Sequence, residues 1–437
     1  MTSPSPDTGP TQNPDQWRKW IVIAALLALV LKLAIASSTF GSNDVESFYH
    51  FGRTLSQYGL QWTYTRDQFN PVVTHDGLQW IYSHTTAFNH PPLVAYYLRF
   101  IYRVGHLPFF EQNNIAFPLL LRVPGIIADL VVVLLLMRHQ TQLRLPSWAL
   151  VVFALSPVSL MVAGYHGNTD SIMVMFLVIA ALMCLRKAPI LCGVALALSC
   201  QIKIIPALLF PIFACFWFAR RQSFRFLLPF AATTVLLCVE ALLRYPGVLV
   251  KNVISYGSLW GHWGITYLLR LTGRPEFSVD SFYDLPKAEV MVMTGLKLFV
   301  IGCVLVIAWR RQQLGGHRFF ETIGVTWIVF FVFSPAIVPQ YMVWLAPFVL
   351  VLSPVLSVAL LAASSLFLFC FYNVTSQGLP WYIAISTPMT SHSTSPWGLW
   401  PWAVLILWLA VLWRQARKTH ANLRLFSFDQ VRPAPST

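Results

Sequence analysis

The sequence predicts an all-α, polytopic membrane protein with about 12 transmembrane helices, counted as apolar runs of near-bilayer length. Composition and charge placement carry this reading. Hydrophobic residues make up 57% of the 437-residue chain and charged residues only 11%, whereas an ordinary globular domain is about 25% charged. The formal charge of +14 comes from basic residues clustered between apolar runs, as in "RRQSFR" and "WRRQQLGGHR". That is the pattern of cytoplasmic loops, which carry an excess of Lys and Arg. A lipid bilayer is therefore the expected partner, and nucleic acid is not.

The apolar segments lie near 20 to 40, 117 to 137, 146 to 163, 171 to 185, 189 to 202, 204 to 219, 226 to 243, 288 to 309, 319 to 334, 340 to 352, 355 to 373 and 398 to 413. The pairs meeting near 203 and near 336 each read as two spans or as one kinked helix. The first run follows "WRKW" and lacks a small-residue cleavage site, so it is expected to stay as a membrane helix. Residues 1–17 and 414–437 read as a disordered tail and a basic tail, both cytoplasmic, flanking a single transmembrane domain over 18–413. The seven cysteines sit inside apolar runs without a C-x-x-C pair, so neither disulfides nor zinc is expected.

With the N-terminus inside, Arg18/Lys19, Arg138/Arg144, Arg186/Lys187, Arg220/Arg221/Arg225, Arg310/Arg311/Arg318 and Arg414/Arg417/Lys418 all face the cytoplasm. The loops 41–116, 244–287 and 374–397, and the short segments 164–170 and 335–339, then face the other side. Nearly every polar feature that looks chemical falls on that outer side.

The first outer loop opens with "GSNDVESFYHFGRTL". Asn43 with Glu46 reads as a variant capping box, and Asp44 as a first-turn carboxylate favoured by the helix dipole. Phe48, Phe51, Leu55 and Tyr58 recur at helical spacing, predicting an amphipathic helix on the membrane surface or against the bundle. In "FNHPPLVAYYLRF", Pro91 and Pro92 start a second amphipathic helix just after His90. "LLLRVPGIIADLVVV" places Arg122 near the outer end of a span and Asp129 about two turns deeper, where a salt bridge is the simplest role.

"GYHGNTDS" joins two spans with more hydrogen-bonding capacity than a turn needs, in Tyr165, His166, Asn168 and Asp170. Asp170 is also a candidate helix cap. Lys203, in "CQIKIIPALLFP", is either a snorkelling or a functional lysine. "FSPAIVPQYMVWLAPF" is broken by Pro335 and Pro339 and presents Gln340, Tyr341 and Trp344. The two aromatics also fit an interfacial anchor.

Together these stretches resemble the GT-C superfamily of integral-membrane glycosyltransferases. The resemblance runs through "SNDVE", "FNHPPLVAYY", "RVPGIIADL", "SPVSLMVAGYHGNTDS", "QIKIIPALLFP", "YPGVLVKNVISYGSLWGHWGI" and "PQYMVWLAPF". "HPPL" and "GYHGNTDS" are similar to blocks of the dolichol-pathway glucosyltransferases. "PQYMVWLAPF" is similar to the first mannosyltransferase of GPI-anchor synthesis and its bacterial relatives. The His-Glu pair that several relatives carry before the Gln-Tyr block is replaced here by Val338 and Pro339.

The resemblance implies transfer of a hexose, mannose among the candidates, with inversion from a polyprenyl- or dolichyl-phosphate donor. The acceptor would be a hydroxyl of a glycan, glycolipid or other molecule. Phosphate is a good leaving group, so one general base suffices. Asp44 is the expected base, with Glu46 as its orienting neighbour or alternative. Arg122 and Lys203 are expected at the donor phosphate. His90, Tyr165, His166, Asn168, Asp170, Gln340 and Tyr341 are expected to line the sugar and acceptor pocket.

No cofactor is expected, the alternative being a divalent metal on the Asp44-x-Glu46 pair. A bacterial plasma membrane, with the site on the periplasmic or luminal side, is the favoured location. The competing class is a multi-pass transporter or glycolipid flippase using intramembrane charges such as Glu240 and Lys297. Such proteins usually show internal repeats and midplane sites, whereas here no clear repeat is read and the polar groups gather at one face with long outer loops, which favours an enzyme.

Overall fold

The computed structural model describes residues 14–65, 73–75, 78–80, 88–111, 113, 116–254, 260–277, 285–385 and 388–422. Most of both expected tails, and parts of the outer loops 41–116 and 244–287, lie outside them. Helices α1 (Pro14–Ser38), α2 (Asn43–Tyr58), α3 (Pro92–Gly105), α4 (Ala116–Arg138), α5 (Ser147–His166) and α6 (Asp170–Leu185) form the first half. The second half contains α7 (Pro189–Ile202), α8 (Ile205–Phe218), α9 (Ser223–Arg244), α10 (Gly264–Arg270) and α11 (Lys287–Arg311). It closes with α12 (His317–Phe333), α13 (Pro339–Leu352), α14 (Pro354–Thr375) and α15 (Pro388–Asn422).

Every expected apolar segment is helical, but the lengths differ from a set of twelve full crossings. Seven helices, α1, α4, α5, α9, α11, α14 and the 396–415 part of α15, are long and apolar enough to cross a membrane. The apolar helices α6, α7, α8 and α13 are shorter. Residues 14–17, expected in a disordered tail, begin α1, and 414–422, expected in a tail, continue α15.

The two ambiguous pairs are hairpins rather than kinked helices. Trp217, at the end of α8, donates its indole N–H to Cys192 at the start of α7 over 3.3 Å. Likewise Phe320, early in α12, lies 5.7 Å ring to ring from Phe348, late in α13. Each pair turns back where a β-region backbone interrupts the helix, at Lys203 and at Ser334.

Short hairpins stand beside longer helices. The Arg220 guanidinium donates to the carbonyls of Gln312 (3.0 Å) and Gln313 (3.3 Å), which aligns the inner ends of α8 and α11. From that level α11 rises about 37 Å and α8 only about 23 Å. The long helices α9 and α11 leave apolar side chains such as Leu236, Leu243, Met291 and Leu298 exposed, as a lipid-facing surface requires.

Helices α2 and α3 pack together. Phe48, Phe51 and Leu55 of α2 are buried as its periodicity predicts, but Tyr58 is 51% exposed. Two short sheets complete the architecture. Val73–His75 pairs antiparallel with Leu78–Trp80, and Gly41–Ser42 pairs parallel with Ile383–Ala384. The second pairing straps the outer loop after α14 to the segment that leads into α2.

Candidate active site

The chain leaves α1 at Ser38 and must turn sharply to start α2. Gly41 makes that turn at φ +104°, and a Cβ there would stand 2.6 Å from the Tyr165 carbonyl oxygen. Ser42, rather than Asn43, is the N-cap of α2: its Oγ accepts the Asp44 N–H at 3.3 Å and donates to the His166 carbonyl at 2.8 Å. This corrects the expected Asn43–Glu46 capping box. A serine cap also ties the start of α2 to the end of α5.

The last turn of α5, Leu160–His166, is a π-helix. Such turns recur at functional sites because they rotate the residues after them. Gly167 follows at φ +83°, where a Cβ would meet Val45 Cγ2 at 2.4 Å, so only glycine lets the two segments approach. His166 and Asn168 thereby face Asp44.

Asp44 Oδ2 accepts from Asn168 Nδ2 (2.8 Å), His166 Nε2 (3.1 Å) and Gln340 Nε2 (3.4 Å). Three sequence-expected residues, two from the 164–170 segment and one from the start of α13, thus converge on one oxygen. No described residue hydrogen-bonds Oδ1. The Asp44 side chain is 33% exposed while that of His166 is 6% exposed, so the carboxylate is the open edge of the cluster. Burial pushes its pKa up, but the His166 hydrogen bond and the charges of His166, Lys203 and His90 outweigh it and hold the carboxyl below its ordinary value. An ionised carboxylate only accepts, so His166 presents Nε2–H to it.

Glu46 is not part of this cluster. It is buried and turned to His50, with Oε1 and Nε2 3.8 Å apart. It neither orients Asp44 nor forms a metal-binding pair with it. Among the described residues no group of three His, Cys, Asp or Glu side chains is placed to hold a metal ion.

Arg122 is the second correction. It is 1% exposed. Nε donates to Pro118 O (3.0 Å), Nη1 to Thr39 Oγ1 (2.9 Å) and to the carbonyls of Gly164 (2.9 Å) and Tyr165 (3.2 Å), and Nη2 to the carbonyls of Thr39 and Phe40. With its donors turned into the protein, the guanidinium staples the segment before Asp44 to the segment before His166. It does not face a donor phosphate.

Lys203 does face the cluster, but as one partner of a buried pair. Its Nζ stands 2.8 Å from Asp170 Oδ1, and lies 4.9 Å from the Tyr341 ring centre and 5.4 Å from that of Trp344. Trp344 is fully buried, stacks on Tyr341 at 3.6 Å and donates its indole N–H to Asp170. Trp344 is therefore a core element and not an interfacial anchor. Asp170 sits in the first turn of α6 but makes no side-chain cap.

His90 is half-buried, edge-on to Phe48 at 5.6 Å. Burial and the neighbouring Lys203 push its pKa down to about 3. Tyr165 is buried behind Arg122 and shares a 2.7 Å hydrogen bond with Ser376 Oγ.

Deeper in the bundle, Asp129 pairs with Lys32 of α1 at 3.0 Å and accepts from Ser159, the salt bridge its position suggested. Glu240 accepts from the Tyr96 hydroxyl at 2.5 Å and lies 3.8 Å from Arg244, at the outer end of α9.

No family model matches the sequence, and no curated protein matches it.

The sequence reading missed Ser42, Lys32 and Tyr372. Ser42 was legible as a residue preceding an acidic helix start, and Lys32 as a charge inside the first apolar run. Tyr372 belongs to "CFYNVTS" near the outer end of α14. It is fully buried, with its ring 5.8 Å from that of His166. Nothing local in the sequence distinguishes it from other aromatics at helix ends.

Proposed function

We propose that this chain is a membrane glycosyltransferase of the GT-C type. It transfers a hexose from a polyprenyl-phosphate donor to an acceptor hydroxyl on the non-cytoplasmic side, with Asp44 as general base. One observation carries the reading: a partly exposed carboxylate at the edge of a buried polar cluster has one oxygen held by three side-chain N–H donors and the other without a hydrogen bond from the described residues.

In this reaction the acceptor oxygen attacks the anomeric carbon from the face opposite the phosphate. The bond from that carbon to the phosphate oxygen breaks, and the bonding pair leaves with the lipid phosphate. The acceptor proton passes to Asp44 Oδ1. A carboxylate stabilised in its ionised form is a weak base, but the hydroxyl becomes strongly acidic as it bonds to an oxocarbenium-like carbon. Late proton transfer suits a base of this kind.

Asn168, His166 and Gln340 fix the carboxylate, and fixed orientation is itself a large part of the rate enhancement. Lys203 is the cation nearest the cluster, and its charge is shared with Asp170. Exposed apolar helix faces suit a donor whose tail stays in the bilayer.

The test is a transfer assay with purified protein reconstituted in lipid, using polyprenyl-phosphate hexoses, with product stereochemistry read by NMR. Mass spectrometry of lipid-linked glycans from cells with and without the gene identifies the acceptor. Inverted product that disappears in Asp44→Asn supports the reading. Movement of intact glycolipid or solute across the bilayer without bond cleavage would assign the chain to the transporter class instead.

A further inference from the structure

Behind Asp44 lie three buried polar atoms without a hydrogen-bond partner among the described residues: His166 Nδ1, Asp170 Oδ2 and the Tyr372 hydroxyl. Their side chains are 95% buried or more, with relative exposures of 5% for His166 and 0% for Asp170 and Tyr372. They belong to one neighbourhood. The rings of His166 and Tyr372 are 5.8 Å apart, and Asp170 follows His166 by four residues, with its Oδ1 held by Lys203 at 2.8 Å. Leaving a buried donor or acceptor unpaired costs more than the bond it would form is worth. Three in one place beside the reactive carboxylate point to a polar guest.

The chemistry of the three atoms selects that guest. With Nε2–H given to Asp44, His166 Nδ1 is an acceptor, and Asp170 Oδ2 is another. The Tyr372 hydroxyl carries one proton, so the two acceptors outnumber the available donors by one. An anion would face Asp170, and a second cation would face Lys203. A neutral hydroxyl supplies the missing proton and can accept in return from Tyr372.

We propose that Tyr372, Asp170 and His166 form a subsite for one hydroxyl group of the transferred sugar, entered past the exposed edge of Asp44. This deepens the glycosyltransferase reading and rests on it. Tyr372 is the specificity-determining residue, since Asp170 and His166 are also engaged with Lys203 and Asp44.

The experiment measures binding to wild type and to Tyr372→Phe in lipid nanodiscs. The probes are undecaprenyl phosphate and its esters with mannose, glucose and galactose. The subsite predicts that at least one glycosylated carrier binds wild type about tenfold or more tightly than the bare carrier, the scale of one good hydrogen bond to a charged site. Tyr372→Phe should remove most of that advantage and leave the bare carrier unchanged.

Without sugar, Tyr372→Phe should melt at the wild-type temperature or above it, because the variant removes an unpaired buried hydroxyl. An equal loss for bare and glycosylated carriers, or an undiminished advantage in the variant, overturns the subsite. Binding of the bare carrier with no preference for any sugar overturns the subsite alone. Failure of every carrier to bind wild type overturns the glycosyltransferase reading together with the subsite.

Discussion

Asn168 Nδ2 donates to Asp44 Oδ2 over 2.8 Å, joining residues 124 positions apart in the chain. The contact exists because Gly41 and Gly167 let two outer segments approach until Val45 fills the space a Cβ at 167 would take. It holds the Asp44 carboxylate in one orientation while leaving a third of the side chain open.

Asp44→Asn should lower turnover by about 10²- to 10⁴-fold, the usual cost of losing a general base. Binding of the lipid donor should be retained. Glu46→Gln should keep near-normal turnover, because Glu46 faces His50 and not the cluster. Transfer assays on both purified variants decide the matter, and near-normal turnover by Asp44→Asn would remove it from the mechanism.

Arg122→Lys should destabilise the protein by on the order of 3 kcal/mol or more, since a lysine leaves several buried carbonyls unpaired. An ammonium cannot reach Pro118, Thr39, Phe40, Gly164 and Tyr165 together, as the guanidinium does. Thermal melts in detergent measure this. A variant as stable as wild type would free Arg122 for the phosphate role that its sequence position suggests.

Lys203→Met should cost about 3–5 kcal/mol, because it leaves Asp170 charged and buried without its partner. The double variant Lys203→Met with Asp170→Leu should recover much of that loss, since apolar replacements of a buried pair are often neutral. Comparing the single and double variants by melting gives the coupling. Additive losses would mean that the 2.8 Å pair contributes no interaction of its own.

Acidification should destabilise the fold through His90. Its folded pKa of about 3 lies below the ordinary histidine value, so the unfolded chain binds more protons at intermediate pH and stability falls as pH drops below about 6.5. Asp44, also held below its ordinary value, contributes stability that is present above about pH 3.9 and lost only under stronger acid. Melting temperatures taken between about pH 7 and pH 5 should therefore decline less in His90→Gln than in wild type. Parallel declines would assign the acid sensitivity to other groups.

Single cysteines replacing Arg138 and Arg310 should resist labelling by a membrane-impermeant maleimide added to intact cells. Cysteines replacing Asp44 and Tyr341 should react. Both expectations follow from the basic clusters lying inside. The opposite pattern would invert the topology and place the cluster on the cytoplasmic side.

The helices and the polar segments that join them were legible in the primary structure, because apolar period and length and proline breaks are local signals that a bilayer enforces. The convergence of Asp44 with Asn168 and Gln340 was legible only as a shared side of the membrane. Roles were a different matter. Arg122 and Lys203 look alike in sequence, each a lone cation near the outer end of an apolar segment, yet one is consumed by backbone carbonyls and the other by Asp170 and two aromatic rings. Asp44 and Glu46 stand two residues apart, and helical rotation sends one to the open cluster and the other to a buried contact with His50. Such outcomes depend on which long-range partners a side chain meets. Desolvation makes each buried polar group take whatever partner the packing supplies, so tertiary structure alone decided which charges remained available for chemistry and brought Tyr372 to the back of the site.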